Sequence, residues 1–167
     1  MRQAERGDLV AIAFHLNRRP IQISVAPRCH LADMLREQLL LTGTHLSCEH
    51  GVCGACNVMV NGVVIRACLM LAVQVDGAEV LTIEGLTADG RIADLQRAFV
   101  ARNALQCGFC TPGMLMTAHE LLARQPAPSR EEIRIALSGN YCRCTGYHAI
   151  VDAIETVASQ RRGAAVG

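Results

Sequence analysis

The chain carries nine cysteines, and eight of them fall into two sets whose spacing suits metal ligation. The first set is Cys48, Cys53 and Cys56, spaced x4 and x2, with Cys68 following further along the chain. This is the plant-type spacing, in which a loop wraps a 2Fe–2S cluster and a fourth thiolate comes from a neighbouring strand. Gly51 and Gly54 lie between these ligands, where a tight loop must turn its backbone N–H groups toward sulfur. We therefore predict an electron-carrying cluster here; a zinc knuckle or plain buried thiols is the weaker alternative.

The second set pairs Cys107-x2-Cys110 with Cys142-x-Cys144. The spacing alone is compatible with either a 2Fe–2S cluster or a tetrahedral zinc site. Thr111-Pro112 predicts an N-cap and first helical residue directly after Cys110, and Thr145 similarly precedes a predicted helix after Cys144. We expect two helix N-termini to converge on one anionic site.

The remaining candidate ligands show no second pattern. Cys29 has no partner at ligand spacing and is predicted to be an idle thiol. The six histidines form no paired Cys-x-His arrangement of the Rieske kind. We expect His50 to be a solvated loop residue and Arg143 to support charge near a cluster or partner surface.

The elements that must position the first set are mostly strands. Runs Val10 to Leu16 and Ile21 to Val25, on either side of residues 17–20, predict a hairpin, and residues 31–41 show the apolar spacing of a helix. Asn61-Gly62 predicts a tight turn between strands at 58–60 and 63–65. Cys68 follows that hairpin, and a last strand is expected at residues 80–83.

From about Gly85 the pattern becomes helical. Helices are predicted at residues 92–104, 112–124, 130–138 and 147–158, a number that suggests a small bundle, with a loose tail at 160–167. The fold class is therefore α+β, with two predicted domains at residues 1–84 and 85–167.

Composition excludes several function classes. A formal charge of +1 and 3% aromatic residues offer neither an electrostatic footprint nor stacking platforms for nucleic acid. Residues 1–8 contain no apolar signal region, and no run is long enough to cross a membrane. We expect a cytoplasmic protein, in which cysteines favour metal over disulfides. No nucleotide-binding or nucleophile motif is present, so we expect no catalysis by this chain alone.

Three segments identify a family resemblance: residues 48–56 (CEHGVCGAC), 106–114 (QCGFCTPGM) and 139–147 (GNYCRCTGY). They resemble the small iron–sulfur subunit of bacterial molybdenum hydroxylases, the xanthine dehydrogenase, carbon monoxide dehydrogenase and quinoline oxidoreductase family. The likeness covers about residues 10–158 with no ligand lost. Asn57, where many relatives carry Thr, is a mild departure.

The resemblance implies a β-grasp plant-type ferredoxin domain followed by a four-helix-bundle domain, each with one 2Fe–2S cluster. It also implies that Gln106 and Cys144 lie next to a molybdopterin cofactor in a large subunit. Electrons would pass from molybdenum through the helical cluster and the plant-type cluster to FAD in a medium subunit, or the reverse in a reductase. The expected assembly is a dimer of heterotrimers.

Alternatives remain open at this point. The substrate of such a complex is expected to be an N-heteroaromatic compound, but carbon monoxide, aldehyde or aryl-CoA oxidoreductase complexes use the same subunit type. A free-standing two-cluster ferredoxin and a zinc-stabilised interaction module are the rival classes.

Overall fold

The computed structural model describes residues 9–165 as a mixed five-stranded sheet and a set of helices. This confirms the α+β class. The strand order is β2-β1-β5-β3-β4, formed by β1 (Val10–Leu16), β2 (Arg19–Val25), β3 (Asn57–Val60), β4 (Val63–Arg66) and β5 (Glu79–Leu81). The predictions made for residues 1–8 and for the last two residues lie outside the described residues.

The first hairpin forms as predicted, with a tighter turn. Asn17 and Arg18 have φ of 50° and 66°, so two residues suffice to reverse the chain and β2 begins at Arg19, not at Ile21. Pro20 then lies within β2. A missing N–H is tolerated there because β2 is an edge strand of the sheet.

The second hairpin delivers the chain to Cys68. Asn61 and Gly62 adopt φ of 49° and 83°, the turn that the sequence predicts between β3 and β4. Strand β5 pairs in parallel with β1 and antiparallel with β3. It ends at Leu81, two residues earlier than predicted, because a helix begins at Ile83.

The helix predicted at residues 31–41 is shorter and wider than expected. It consists of α1 (Leu31–Asp33) and a π-helical segment, Met34–Gln38. Leu40 has φ of 57°, a left-handed conformation that ends the helix before Leu41.

The second half is helical, as predicted. Its helices are α2 (Ile83–Ala88), α3 (Ala93–Ala101), α4 (Thr111–Arg124), α5 (Arg130–Leu137) and α6 (His148–Ala165). Helix α2 was not predicted, and α6 continues through residues expected to form a loose tail. Helix α5 begins with a capping box between Ser129 and Glu132.

Two hydrophobic cores lie on opposite faces of β3. Val58 and Val60 belong to the core beneath α1, whereas Met59 packs into the core of the helices. Every residue of β3 is therefore buried, and this strand packs against the cores of both halves.

Candidate iron–sulfur centres

The first cysteine quartet is carried by the loop before β3 and by the chain just after β4. Its thiols interact in two pairs, Cys48 with Cys53 and Cys56 with Cys68. Two irons bridged by sulfide need two thiolates each, so this pairing matches the requirement of a 2Fe–2S cluster.

Backbone amides face the sulfurs of this loop, as the glycine positions predict. Gly51 and Gly54 have φ of 75° and 72°, and the N–H of His50 donates to Sγ of Cys48 at 3.4 Å. This amide, with those of Cys53 and Val52, lowers the pKa of Cys48 to about 6. The loop therefore stabilises the thiolate form that binds metal.

Cys56 behaves in the opposite way. Its side chain is buried, and burial raises the pKa of its thiol to about 12. Only metal ligation can supply the positive charge that makes a thiolate favourable at such a site, so metal binding and deprotonation are coupled here.

The second quartet also approaches in pairs. The sulfurs of Cys107 and Cys144 are 3.6 Å apart, and the side chains of Cys110 and Cys142 interact. Burial raises the pKa of Cys110 to about 12. Burial of Cys142 opposes ionisation, but the Thr145 hydroxyl, which donates to its Sγ at 3.0 Å, and nearby amides lower its pKa overall.

Both helices beside the second quartet begin within one residue of their predicted starts, but the predicted N-cap at Thr111 is wrong. Helix α4 begins at Thr111 with Cys110 as its N-cap, so Thr111 is not the cap. Helix α6 begins at His148. Gly146 and Tyr147, with φ of 67° and 70°, are left-handed and keep the residues directly after Thr145 out of the helix. A turn, and not a helix end, therefore follows Cys144.

The donor set fits two binuclear clusters. Two sulfurs on one tetrahedral metal, with metal–sulfur bonds of about 2.3 Å, lie about 3.8 Å apart, close to the Cys107–Cys144 separation. Among residues 9–165, no three His, Cys, Asp or Glu side chains gather as a site for one single ion. All nine cysteines are free thiols, and Cys29 stands outside both quartets.

The two quartets open onto one shared cavity of about 450 Å³. Its lining includes Cys48 and Cys53 from the first quartet, all four cysteines of the second, and Ala55, Phe109, Tyr141 and Arg143. The structure thus brings the two predicted sites together on one face, although their ligands are up to 96 residues apart in sequence, from Cys48 to Cys144.

The residues expected near a partner cofactor lie at the open edge of the second quartet. Nε2 of Gln106 donates to the carbonyl of Cys144 at 2.9 Å, and Gln106, Cys107, Arg143 and Cys144 are exposed. His50 is exposed too, but its backbone, not its ring, reaches a ligand.

His45 makes a contact that could not be predicted from the sequence. Its ring stacks on Phe109 at 4.7 Å between centroids, and Nδ1 lies 2.7 Å from the Phe109 carbonyl. This contact ties the loop of the first quartet to that of the second. Within the part of the chain that the structure describes, no helix has the length and apolarity to cross a bilayer.

Comparison with known proteins finds two matching family models. Residues 14–82 match a 2Fe-2S iron-sulfur cluster binding domain, and residues 82–155 match a [2Fe-2S] binding domain. The chain is 52% identical to the nicotine 6-hydroxylase small subunit of Paenarthrobacter nicotinovorans, covering 89% of each. It is 50% identical to the caffeine dehydrogenase subunit gamma of a Pseudomonas species, covering 87% of this chain and 89% of that one.

A solved structure is similarly close. The crystal structure of quinoline 2-oxidoreductase from Pseudomonas putida 86 contains a chain that matches with a TM-score of 0.88 and 51% identity. The match covers 94% of this chain and 99% of that one.

Proposed function

Because the chain belongs to the family of small iron–sulfur subunits of bacterial molybdenum hydroxylases, we propose that it is the electron-transfer subunit of such an oxidoreductase. It passes electrons between a molybdopterin cofactor in a large subunit and FAD in a medium subunit. The observation that carries this function is the cavity lined by two cysteines of the first quartet and all four of the second. Bound clusters supply one-electron redox chemistry; this chain supplies the ligands, their protonation states and their relative placement.

The two halves have distinct tasks in this proposal. Residues 1–84 form a β-grasp plant-type domain that holds one cluster through Cys48, Cys53, Cys56 and Cys68. Residues 85–167 would be the helical domain, built mainly from α3, α4, α5 and α6, that holds the other through Cys107, Cys110, Cys142 and Cys144. The mixed sheet with its parallel β1–β5 pair, and the helical second half, support this division.

The exposed edge of the helical site suits contact with the large subunit. Gln106 is held against the Cys144 carbonyl, which leaves its amide oxygen free to accept a hydrogen bond from a pterin in the partner. At the first quartet, Val52 and Leu69 are 50% and 64% exposed, so a second apolar contact surface is available for the medium subunit. The assembly would be a dimer of heterotrimers in the cytoplasm.

The substrate class proposed for the complex is an N-heteroaromatic compound. The relatives described above are named for nicotine, caffeine and quinoline, which all contain nitrogen heterocycles. Substrate contacts belong to the large subunit, so this chain would transmit electrons without meeting the substrate.

The test is the composition of the natively purified complex. We expect four irons and four labile sulfides per copy of this chain, on the basis of two 2Fe–2S clusters, together with molybdenum and flavin. Mass spectrometry should find large and medium subunits. A chain that carries iron but purifies alone would instead be a free-standing ferredoxin, and a colourless zinc-containing chain would contradict the proposal.

A further inference from the structure

The contact between the two halves is polar where the cysteine loops meet. In residues 9–165 the buried polar side chains are few, and three of them come together at this contact: Asn57, Thr117 and Asn140. Buried polar groups need partners, because an unsatisfied one keeps its full desolvation cost. Their arrangement can therefore be followed as a network.

Thr117 of α4 is the centre of this network. Its hydroxyl oxygen accepts a hydrogen bond from Nδ2 of Asn57 at 2.9 Å. The same hydroxyl can donate to Oδ1 of Asn140 at 3.0 Å or to the Gly113 carbonyl at 3.1 Å. Asn57 directly follows the ligand Cys56, and Asn140 lies two residues before the ligand Cys142. One helix hydroxyl thus joins two ligand-bearing segments.

Arg66 also links the two ligand-bearing segments. Its guanidinium donates to the Gly51 carbonyl at 3.3 Å, to Oδ1 of Asn57, and to the Gly139 carbonyl at 2.7 Å. Gly51 lies within the loop of the first quartet, and Gly139 leads into the second. A planar, always-charged fork holds all three acceptors in a fixed geometry.

The backbones of the two ligand segments also touch. The Tyr141 N–H donates to the Cys53 carbonyl at 2.8 Å, and Nδ2 of Asn140 donates to the Gly54 carbonyl at 3.4 Å. A Cβ on Gly54 would lie 2.5 Å from the Gly139 carbonyl, so only glycine permits this approach. Tyr141 is the neighbour of Cys142, so one hydrogen bond and one peptide link connect Cys53 of the first quartet to Cys142 of the second.

We propose that Asn57, Arg66, Thr117 and Asn140, here called the bridging network, are positioning residues that fix the separation and orientation of the two clusters. The inference rests on the proposed two-cluster function and goes beyond it. Electron exchange between two sites depends on their distance and on the medium between them. The network sets both by holding the segments at residues 51–57 and 139–142 against each other.

A merely structural role is the competing explanation. A network that only stabilised the contact between the halves would, when weakened, lower the number of correctly folded molecules. The remaining folded molecules would keep the native geometry between clusters. A positioning role instead changes that geometry in molecules that retain both clusters.

The test uses Thr117→Val in the complex purified with its partner subunits. Valine keeps the shape of threonine and removes the central hydroxyl. Thr156→Val is the matched control, because Thr156 also lies on a helix and its hydroxyl also donates four residues back, to the Asp152 carbonyl at 2.7 Å. Thr156 belongs to α6, and the hydrogen bonds found for it among residues 9–165 join it to Asp152 and Arg102, which lie outside the bridging network.

The measurement is EPR of the fully reduced complex, with iron content determined on the same sample. Two paramagnetic clusters at one fixed distance give one spin–spin splitting. We expect Thr117→Val to lose that single splitting while each cluster keeps its own signal and the iron content stays at wild type. Thr117→Ser should restore the splitting, and Thr156→Val should keep it.

Retention of the wild-type splitting in Thr117→Val, at full or reduced iron content, would overturn the inference. If Thr117→Val yields no holoprotein, the same EPR measurement is made on Arg66→Lys, which keeps the positive charge and loses the forked guanidinium. An unchanged splitting in Arg66→Lys would also overturn the inference. A wild-type chain without iron would instead refute the proposed function, so the two failures are distinguishable.

Discussion

The two cysteine quartets reach similar donor sets by different structural routes. The first is local: three ligands lie on one loop and the fourth follows a two-strand hairpin, a span of residues 48–68. The second joins two pairs from segments 107–110 and 142–144, separated by α4 and α5. The first site is therefore shaped mainly by its own loop, whereas the second depends on the packing of the helices.

The cysteine side chains of the first quartet are also more buried than those of the second. Cys56 and Cys68 of the first quartet are buried, whereas Cys107 and Cys144 of the second are exposed. Solvent exposure and hydrogen bonds to sulfur tune cluster potentials, so the two sites have unlike environments even with identical ligands. An open second site suits transfer to a partner, and a half-buried first site suits retention of its cluster.

The largest expected effect is the loss of one site without the other. Cys110→Ser removes a proposed ligand, which is half-buried and pairs with Cys142. We expect the helical cluster to be absent and the plant-type EPR signal to remain, with about half the iron, since the first quartet shares no ligand with the second. Equal loss of both signals would show that the sites do not form independently.

Core packing provides the next test of the comparison. Ile154 of α6 is fully buried among the helices, so Ile154→Ala should cost about 2–5 kcal/mol of unfolding free energy. Because the second quartet depends on helix packing, its EPR signal should disappear at lower denaturant concentration than that of the first quartet.

Ile12→Ala is the matched control in the other core. Ile12 of β1 is buried in the core of the sheet half, separate from the helical core, and loses the same atoms on substitution. It should weaken the first site more than the second. Identical losses of both signals in both variants would mean that the shared strand β3 makes the halves one cooperative unit.

The difference between the quartets also explains what the sequence could predict. Local features were predictable because they depend on neighbouring residues: the Asn61-Gly62 turn, the glycine positions of the first loop and the start of α4 within one residue of Pro112. The cysteine spacing predicted both sites, and their ligand sets stay a prediction. The bend between Cys144 and α6 was not predictable, because the left-handed Gly146 and Tyr147 are held by contacts such as the Tyr147 hydroxyl donating to the Asn140 carbonyl.

The contacts between the halves were invisible to sequence reasoning for the same reason. Thr117 reads as an ordinary helix residue, and Arg66 as the solvated end of a strand. Their partners are 60 and 73 residues away, Asn57 and Gly139 respectively. Polar residues reveal such a role only when the tertiary fold buries them together.

A helix cap offers a smaller effect confined to the helical half. Ser129 caps α5 by accepting from the Glu132 N–H, and its own N–H donates back to the Glu132 carboxylate at 2.7 Å. Ser129→Ala should cost about 1 kcal/mol, measured as the free energy of unfolding in urea. The first-site EPR signal should be unchanged at the same denaturant concentration; a parallel loss would again argue for one cooperative unit.

The smallest expected effect is a pH dependence that belongs to the helical half alone. Burial lowers the pKa of His119 on α4, and the nearby Arg161 and Arg91 add to this, while Asp94 opposes it. The folded state therefore binds this proton less readily than the unfolded state, whose pKa is near 6.5. As pH falls through 6.5, the unfolded state takes up a proton that the folded state resists. The free energy of unfolding therefore decreases toward acid pH, and this contribution to stability is fully present above pH 6.5.

Replacing His119 with Gln should flatten the pH dependence of the unfolding midpoint between about pH 5.5 and 7.5, a range around the ordinary histidine pKa. A pH dependence that stays as steep in His119→Gln as in wild type would remove His119 as its source.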